Sequence, residues 1–183
     1  MPVWPWSSPA NGISGTDMRH LTLTALVTFA LDQILKWFVV IRLDLRNIGE
    51  MDVFPPFLVF RMAWNRGVNF GLLASHDQVT RWGLITLALV ITAWVIRWIW
   101  VQGAPKWMAI SAGLLVGGAL GNVIDRVIYG AVADFLNMSC CGIDNPFSFN
   151  VADIAIFAGA LGLVVFAPKT PDGKGPRAKR KTA

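Results

Sequence analysis

The sequence predicts an all-α membrane protein: a four-transmembrane-helix bundle with a small extracytoplasmic platform, β-rich and amphipathic, between spans one and two. Three observations lead there. Of 183 residues, 55% are apolar and only 15% charged, whereas a soluble domain carries about 25% charged residues. Nine Trp and 11 Phe stand against a single Tyr, a balance that suits lipid-facing and interfacial surface. Four apolar stretches approach the ~20 residues that a helix needs to cross a bilayer core. The uneven placement of Lys and Arg adds the orientation. The composition excludes a polar disordered chain, and the only two cysteines, adjacent at Cys140 and Cys141, offer no disulfide framework and no Cys-based metal site.

Residues 1–20 read as a disordered cytoplasmic N-terminus, rich in Pro, Ser and Gly over its first 17 positions. They lack the basic region, apolar run and small-residue cleavage site of a signal peptide. A single domain is expected over 21–167. Its first span, 21–41, is interrupted only by Asp32, Gln33 and Lys36. The amphipathic stretch Ile41–Ile48 follows as an interfacial segment. Met51–Trp64 carries a Pro55-Pro56 turn between runs of short alternation, which predicts strands lying on the membrane surface. Ala63–Ser75 then gathers Asn65, Gly67, Asn69, Phe70 and Gly71; Gly permits a tight turn, and Asn bonds its own backbone or a bound peptide.

Span two is 82–101, with Arg97 near its end, and a five-residue loop leads to span three at 107–124. Gly113, Gly117 and Gly121 recur there every fourth residue, a row that lets another helix backbone approach closely. Span four is 147–167, and 168–183 is a basic tail. The last 15 residues hold six of the 16 basic residues. With Arg19, Arg97 and Lys106 that side carries nine, which places both termini in the cytoplasm by the positive-inside rule. The tail reads as a lipid-touching topology anchor rather than a nucleic-acid site.

Ionisable residues at membrane depth are functional candidates, since each costs ~2.5–3.5 kcal/mol even on lenient insertion scales. Asp32 and Lys36 are one helical turn apart and can pair, with Lys36 free to snorkel outward. Asn122, Asp125 and Arg126 end the third span, where Arg126 beside Asp125 suggests an ion-paired cap. Asp134 lies in the apolar stretch AVADFL, poorly explained as a solvated loop residue. Asp153 falls six residues into the fourth span, roughly 9 Å deep at ~1.5 Å per residue, with Asn150 one turn before it and able to bond its carboxyl.

This set restricts the chemistry. His20 and His76 lie at opposite ends of their spans, and no His or Cys group suits a metal; no cofactor is expected. Two carboxylates that share a proton divide acid and base work between them, which points to an aspartyl peptidase at the outer boundary. The equal spacing of Asn122 to Asp125 and Asn150 to Asp153 suggests pairing Asp125 with Asp153. The apolar surroundings favour Asp134 instead. A second class also fits: a non-enzymatic proton-coupled carrier or membrane scaffold, with Asp32, Lys36 and Asp153 as a relay.

Five motifs in order resemble the bacterial lipoprotein signal peptidases (signal peptidase II). They are Asp32-Gln33-x-x-Lys36; Asn65-x-Gly67-x-x-Phe70-Gly71; Gly117-Gly118-Ala119-x-Gly121-Asn122-x-x-Asp125-Arg126; Val132-x-Asp134-Phe135; and Phe149-Asn150-x-Ala152-Asp153. The resemblance implies that Asp134 and Asp153 are the catalytic pair. Asn65, Gly67, Asn122, Arg126 and Asn150 would support them or face substrate, and Asp32, Lys36 and Asp125 would be structural. It further implies a monomeric enzyme of the bacterial inner membrane, with its active site at the extracytoplasmic boundary. Its substrates would be diacylglyceryl prolipoproteins, cut before the lipidated Cys. Two departures stand out: Asn69 where the family has Ala, and the Cys140–Cys141 pair.

Overall fold

The computed structural model describes residues 15–55, 57–67, 77–140, 142 and 145–167. The elements run α1 (Gly15–Lys36), a π-helical continuation (Trp37–Arg42), α2 (Leu45–Ile48), β1 (Glu50–Phe54), β2 (Leu58–Asn65), α3 (Asp77–Gln102), α4 (Lys106–Tyr129), β3 (Val132–Asn137) and α5 (Val151–Phe166). Among the described residues, three helices are long and apolar enough to cross a membrane, over Asp17–Arg42, Gln78–Gln102 and Lys106–Tyr129. Each runs past the span expected for it, because polar and interfacial residues continue the helix beyond the apolar stretch.

The fourth apolar helix is shorter than expected. It starts at Val151 rather than 147 and has 16 residues, about 24 Å at the helical rise. Asn150 ends it: its side-chain oxygen accepts the Asp153 N–H, and the Asp153 carboxylate accepts the Asn150 N–H, a reciprocal cap that stops the helix one residue earlier. Phe149 is extended and pairs with Leu136 of β3. Asp153 therefore lies in the first turn of α5, not deep along a span.

Helix α4 is the centre of the bundle, with α1 and α5 packed along its two sides. The glycine row meets α1. A Cβ on Gly113 would lie 2.6 Å from the Leu21 carbonyl oxygen, and one on Gly117 would collide with the Ala25 carbonyl. Gly118 faces α5, where a Cβ would come 2.5 Å from the Ala152 carbonyl oxygen. Helix association in lipid depends on such close approach, since burying apolar surface there brings little gain. The outward faces of α1, α3 and α5 expose Leu26, Ile34, Val90, Trp94, Phe157 and Val164.

The sheet is antiparallel, in the order β1-β2-β3. Its third strand comes from between α4 and α5, so the platform is not built only from the segment between spans one and two. Ala63 of β2 lies opposite Asp134 of β3. Beneath the sheet, Val39, Val40, Leu45, Ala133 and Phe135 form a second apolar core, and Phe60 meets Phe135 edge to face at 5.7 Å. The π-helical end of α1 supplies two of these residues, and so ties the platform to the bundle.

Candidate active site

Five elements converge where the sheet meets the bundle: the C-terminal ends of α1, β2 and α4, strand β3, and the N-terminus of α5. Asp134, buried at 3% exposure, accepts two side-chain amides. Asn150 Nδ2 donates to its Oδ1 at 2.6 Å, and Asn65 Nδ2 to its Oδ2 at 3.1 Å. Asp153 accepts Asn122 Nδ2 on Oδ1 at 2.8 Å and the Asn150 backbone N–H on Oδ2 at 3.2 Å. Asn150 Nδ2 also donates to Asn122 Oδ1 at 3.2 Å. The two carboxylates are thus joined by a bridge of two asparagines. Asn150 was expected to bond the Asp153 carboxyl through its side chain; it does so through its backbone, which frees the side-chain amide for Asp134.

Each partner has a local cause. Asn150 is an N-cap with extended backbone, the conformation that lets a short polar side chain reach back to the helix. Asn65 ends β2 and turns the chain, its Oδ1 accepting the Gly67 N–H at 3.0 Å. Gly67 has φ +100°, open to Gly at little cost. Asn69, Phe70 and Gly71 lie outside the described residues, as do His76 and Cys141. Cys140 is exposed.

Burial and the charge of Asp153 push the Asp134 carboxyl from the ordinary 3.8 up to about 6, against the opposing pull of the Asn65 and Asn150 amides and the Lys36 charge. A carboxyl that keeps its proton up to about pH 6 donates, below that pH, a hydrogen bond that an ordinary carboxylate lacks. One side of Asp134 opens onto a cleft of about 340 Å³, lined by Ala63, Trp64, Asn65, Gly67, Pro146, Phe147 and Ser148. Trp64, Phe147 and Ser148 carry no motif and were not expected at the site; the β2–β3 pairing brings Trp64 there, and the Leu136–Phe149 bridge with the Ser148 Oγ bond to the Arg61 carbonyl oxygen brings Phe147 and Ser148.

Two expectations about the charged residues need correcting. Asp125 does not pair with Arg126, its neighbour in sequence. Lys36 Nζ lies 2.8 Å from Asp125 Oδ2 and 2.8 Å from Asp32 Oδ2, and donates to Asn122 Oδ1 at 3.2 Å. Nor does Lys36 snorkel: it is 5% exposed, held between carboxylates that lipid and water do not reach. Successive residues of a helix point about 100° apart, so Asp125 faces α1 while Arg126 turns away from it, its Nη1 donating to the Asn122 carbonyl oxygen of its own helix at 3.3 Å. Gln33 had drawn attention only as a polar break in a span and a motif position, yet its Nε2 reaches Asp32, Asp125 and the Gly121 carbonyl oxygen.

The family model for signal peptidase (SPase) II matches residues 24–168. The chain belongs to the signal peptidase II family. Lipoprotein signal peptidase of Methylobacterium sp. is 40% identical over 151 residues, which cover 81% of this chain and 90% of that protein. The Sphingopyxis alaskensis lipoprotein signal peptidase is 38% identical over 151 residues, 82% of this chain and 86% of that one. Two solved structures, both described as bacterial membrane enzymes, superpose with TM-scores of 0.69 and 0.65 at 26% and 27% identity. They cover 90% and 84% of this chain, and 99% and 88% of their own. As a member of the signal peptidase II family, the chain is a membrane-embedded peptidase.

Proposed function

We propose that the chain is an aspartyl endopeptidase that removes signal peptides from diacylglyceryl-modified prolipoproteins, cleaving before the lipidated Cys, with Asp134 and Asp153 as its catalytic pair. One observation carries this reading: two carboxylates bridged by Asn150 and Asn122, one buried with a raised proton affinity and an open cleft beside it. Their different surroundings assign the roles. Asp153, in the first turn of α5, accepts the Asn122 side-chain amide and the Asn150 backbone N–H; it is the base. Asp134 is the acid.

Asp153 takes a proton from water as the water oxygen attacks the scissile carbonyl carbon. Asp134 gives its proton to the carbonyl oxygen, forming a tetrahedral diol. Asp153 then protonates the departing amine as the C–N bond breaks, and Asp134 recovers its proton from the diol. Atoms and charges balance without a cofactor. Arg126 presents a buried Nε that has no hydrogen-bond partner among the described residues, and its charge faces Asp153 and Asp134. It holds a substrate carbonyl beside the pair. Asn65 and Gly67 form the rim over which the substrate backbone lies.

In this reading α5 makes the fourth crossing, extended by residues 147–150, of which Phe149 pairs with Leu136, and the short helix is met by local thinning of the bilayer. The peptidase domain is 21–167, and residues 1–20 and 168–183 lie on the cytoplasmic side. The carboxylate pair then sits at the extracytoplasmic boundary of the bacterial inner membrane, and the enzyme works as a monomer. The carrier alternative is weakened because Lys36 is fully engaged with Asp32, Asp125 and Asn122, which leaves no open relay. Cleavage of a diacylglyceryl-modified prolipoprotein by the detergent-purified protein tests the proposal, beside Asp134→Asn, Asp153→Asn and an unlipidated substrate. Cleavage by wild type alone, of the lipidated substrate alone, is expected. Turnover by either Asn variant would sink the assignment of the pair.

A further inference from the structure

Each aspartate of the pair is preceded by an alanine whose backbone N–H points at a different buried carboxylate. Ala152, before Asp153, donates to Asp32 Oδ1 at 2.9 Å. Ala133, before Asp134, donates to Asp125 Oδ2 at 3.1 Å. Those two carboxylates belong to α1 and α4, and Lys36 Nζ joins them at 2.8 Å each. Its third proton goes to Asn122 Oδ1 at 3.2 Å, so the three donors of the ammonium group are all engaged.

The Asn122 contact fixes a direction as well as a position. Asn122 Oδ1 receives Lys36 Nζ and Asn150 Nδ2. With two donors on the oxygen, the amide nitrogen must face the other way, where it donates to Asp153 Oδ1 at 2.8 Å. Without Lys36, the amide loses one of the two contacts that keep its donor aimed at Asp153.

We infer that Lys36, with Asp32 and Asp125, is a positioning device for the catalytic pair: it holds together the two carboxylates that anchor the backbone just before Asp134 and just before Asp153, and it orients Asn122 toward Asp153. The inference rests on the aspartyl reading above. It assigns to a helix-buried ion triad the setting of the distance and donor geometry between two aspartates, which stand on separate elements and have no direct bond to each other. The space around the triad is closed: a Cβ on Gly121 would come 2.6 Å from Asp32 Oδ2. The charged groups facing the pair are Lys36 from α1 and Arg126 from α4, while Asp32 and Asp125 face Lys36.

A charge-balanced variant separates positioning from mere neutralisation. Asp32→Asn combined with Lys36→Met removes one charge of each sign and keeps an oxygen for the Ala152 N–H, but deletes the ammonium. In full-length protein in detergent, with a diacylglyceryl-modified prolipoprotein as substrate, kcat is expected to fall at least tenfold while KM stays within twofold. Asp32→Ala and Asp32→Asn form a second test in which Lys36 remains paired with Asp125. The alanine variant should lose at least tenfold in kcat, and the asparagine variant should recover most of it, because it restores the acceptor for Ala152. Wild-type kcat in folded Asp32→Ala, or in the folded double variant, overturns the inference. Asp134→Asn and Asp153→Asn run alongside: if they still cleave, the aspartyl reading itself fails, whereas their inactivity with unaffected Asp32 and Lys36 variants overturns the positioning role alone.

Discussion

The carboxylate of Asp32 on α1 accepts the backbone N–H of Ala152 on α5 at 2.9 Å, across 120 residues of sequence. The bond satisfies one of the N–H groups that the first turn of a helix leaves open, and it comes from another helix rather than from a local cap. It sets α5 against α1 one residue before Asp153. Small residues make the approach possible, since Gly118 and Gly121 of α4 leave room for Ala152 between the helices.

The raised proton affinity of Asp134 has a measurable consequence for stability. Below pH 3.8 both the native and the unfolded chain hold this proton; between 3.8 and about 6 the native chain alone holds it. Stability from this group is therefore fully present at low pH and is lost as pH rises through about 6, by up to about 3 kcal/mol at 1.36 kcal/mol per unit. Asp134→Asn has no such proton. Its melting temperature relative to wild type should climb between pH 4 and pH 7, and a constant difference over that range would contradict the burial argument. In activity, the alkaline limb of kcat/KM should begin near pH 6, where the free enzyme loses its acid.

Asn65→Ala removes a donor to the ionised form of Asp134 from an exposed position on the rim. The fold should survive with little change in melting temperature. Hydrogen bonds to charged groups contribute ~1.5–3 kcal/mol, so a loss of about 10- to 100-fold in kcat/KM is expected. The alkaline limb should also move to higher pH, since the lost bond had favoured the carboxylate. A profile unmoved from wild type would show that this bond does not form in the working enzyme.

Asn150 performs two tasks that substitution can separate. Asn150→Ala loses the cap of α5, about 1 kcal/mol, and the amide to buried Asp134, ~1.5–3 kcal/mol. Thermal unfolding should register both losses, and cleavage should disappear. Asn150→Ser keeps a capping oxygen without the bridging amide. It should recover part of the stability and none of the activity; wild-type cleavage by this variant would leave the asparagine bridge without a catalytic use.

Two glycines on neighbouring helices should respond in opposite ways to the same methyl group. At Gly118 a Cβ meets the Ala152 carbonyl, while at Gly83 nothing lies within 4 Å. Gly118→Ala should cost ~1–3 kcal/mol through overpacking and lower kcat by shifting α5 and Asp153. Gly83→Ala should leave cleavage intact and be neutral or stabilising by up to about 1 kcal/mol. Equal melting temperatures for the two variants would mean that α4 and α5 do not pack this closely.

The sequence by itself determined what depends on local composition and spacing. The apolar stretches mark the long helices, the glycine row marks a packing face, and Asp32 and Lys36 at one-turn spacing meet as expected. The strands either side of Pro55 were legible from their alternation. Choosing between Asp125 and Asp134 as the partner of Asp153 was beyond spacing alone; the apolar surroundings of Asp134 leaned toward it, and the family's motif order decided. Tertiary structure decided the rest. It drew Lys36 to Asp125, turned Asn150 toward Asp134, started α5 only at Val151 and placed Asp134 on a third strand opposite Ala63. The physical reason is range. Hydropathy and periodicity report which way a residue faces on its own element, whereas hydrogen-bond partners are set by which elements pack together, and here they join groups as far apart in the chain as Asp32 and Ala152.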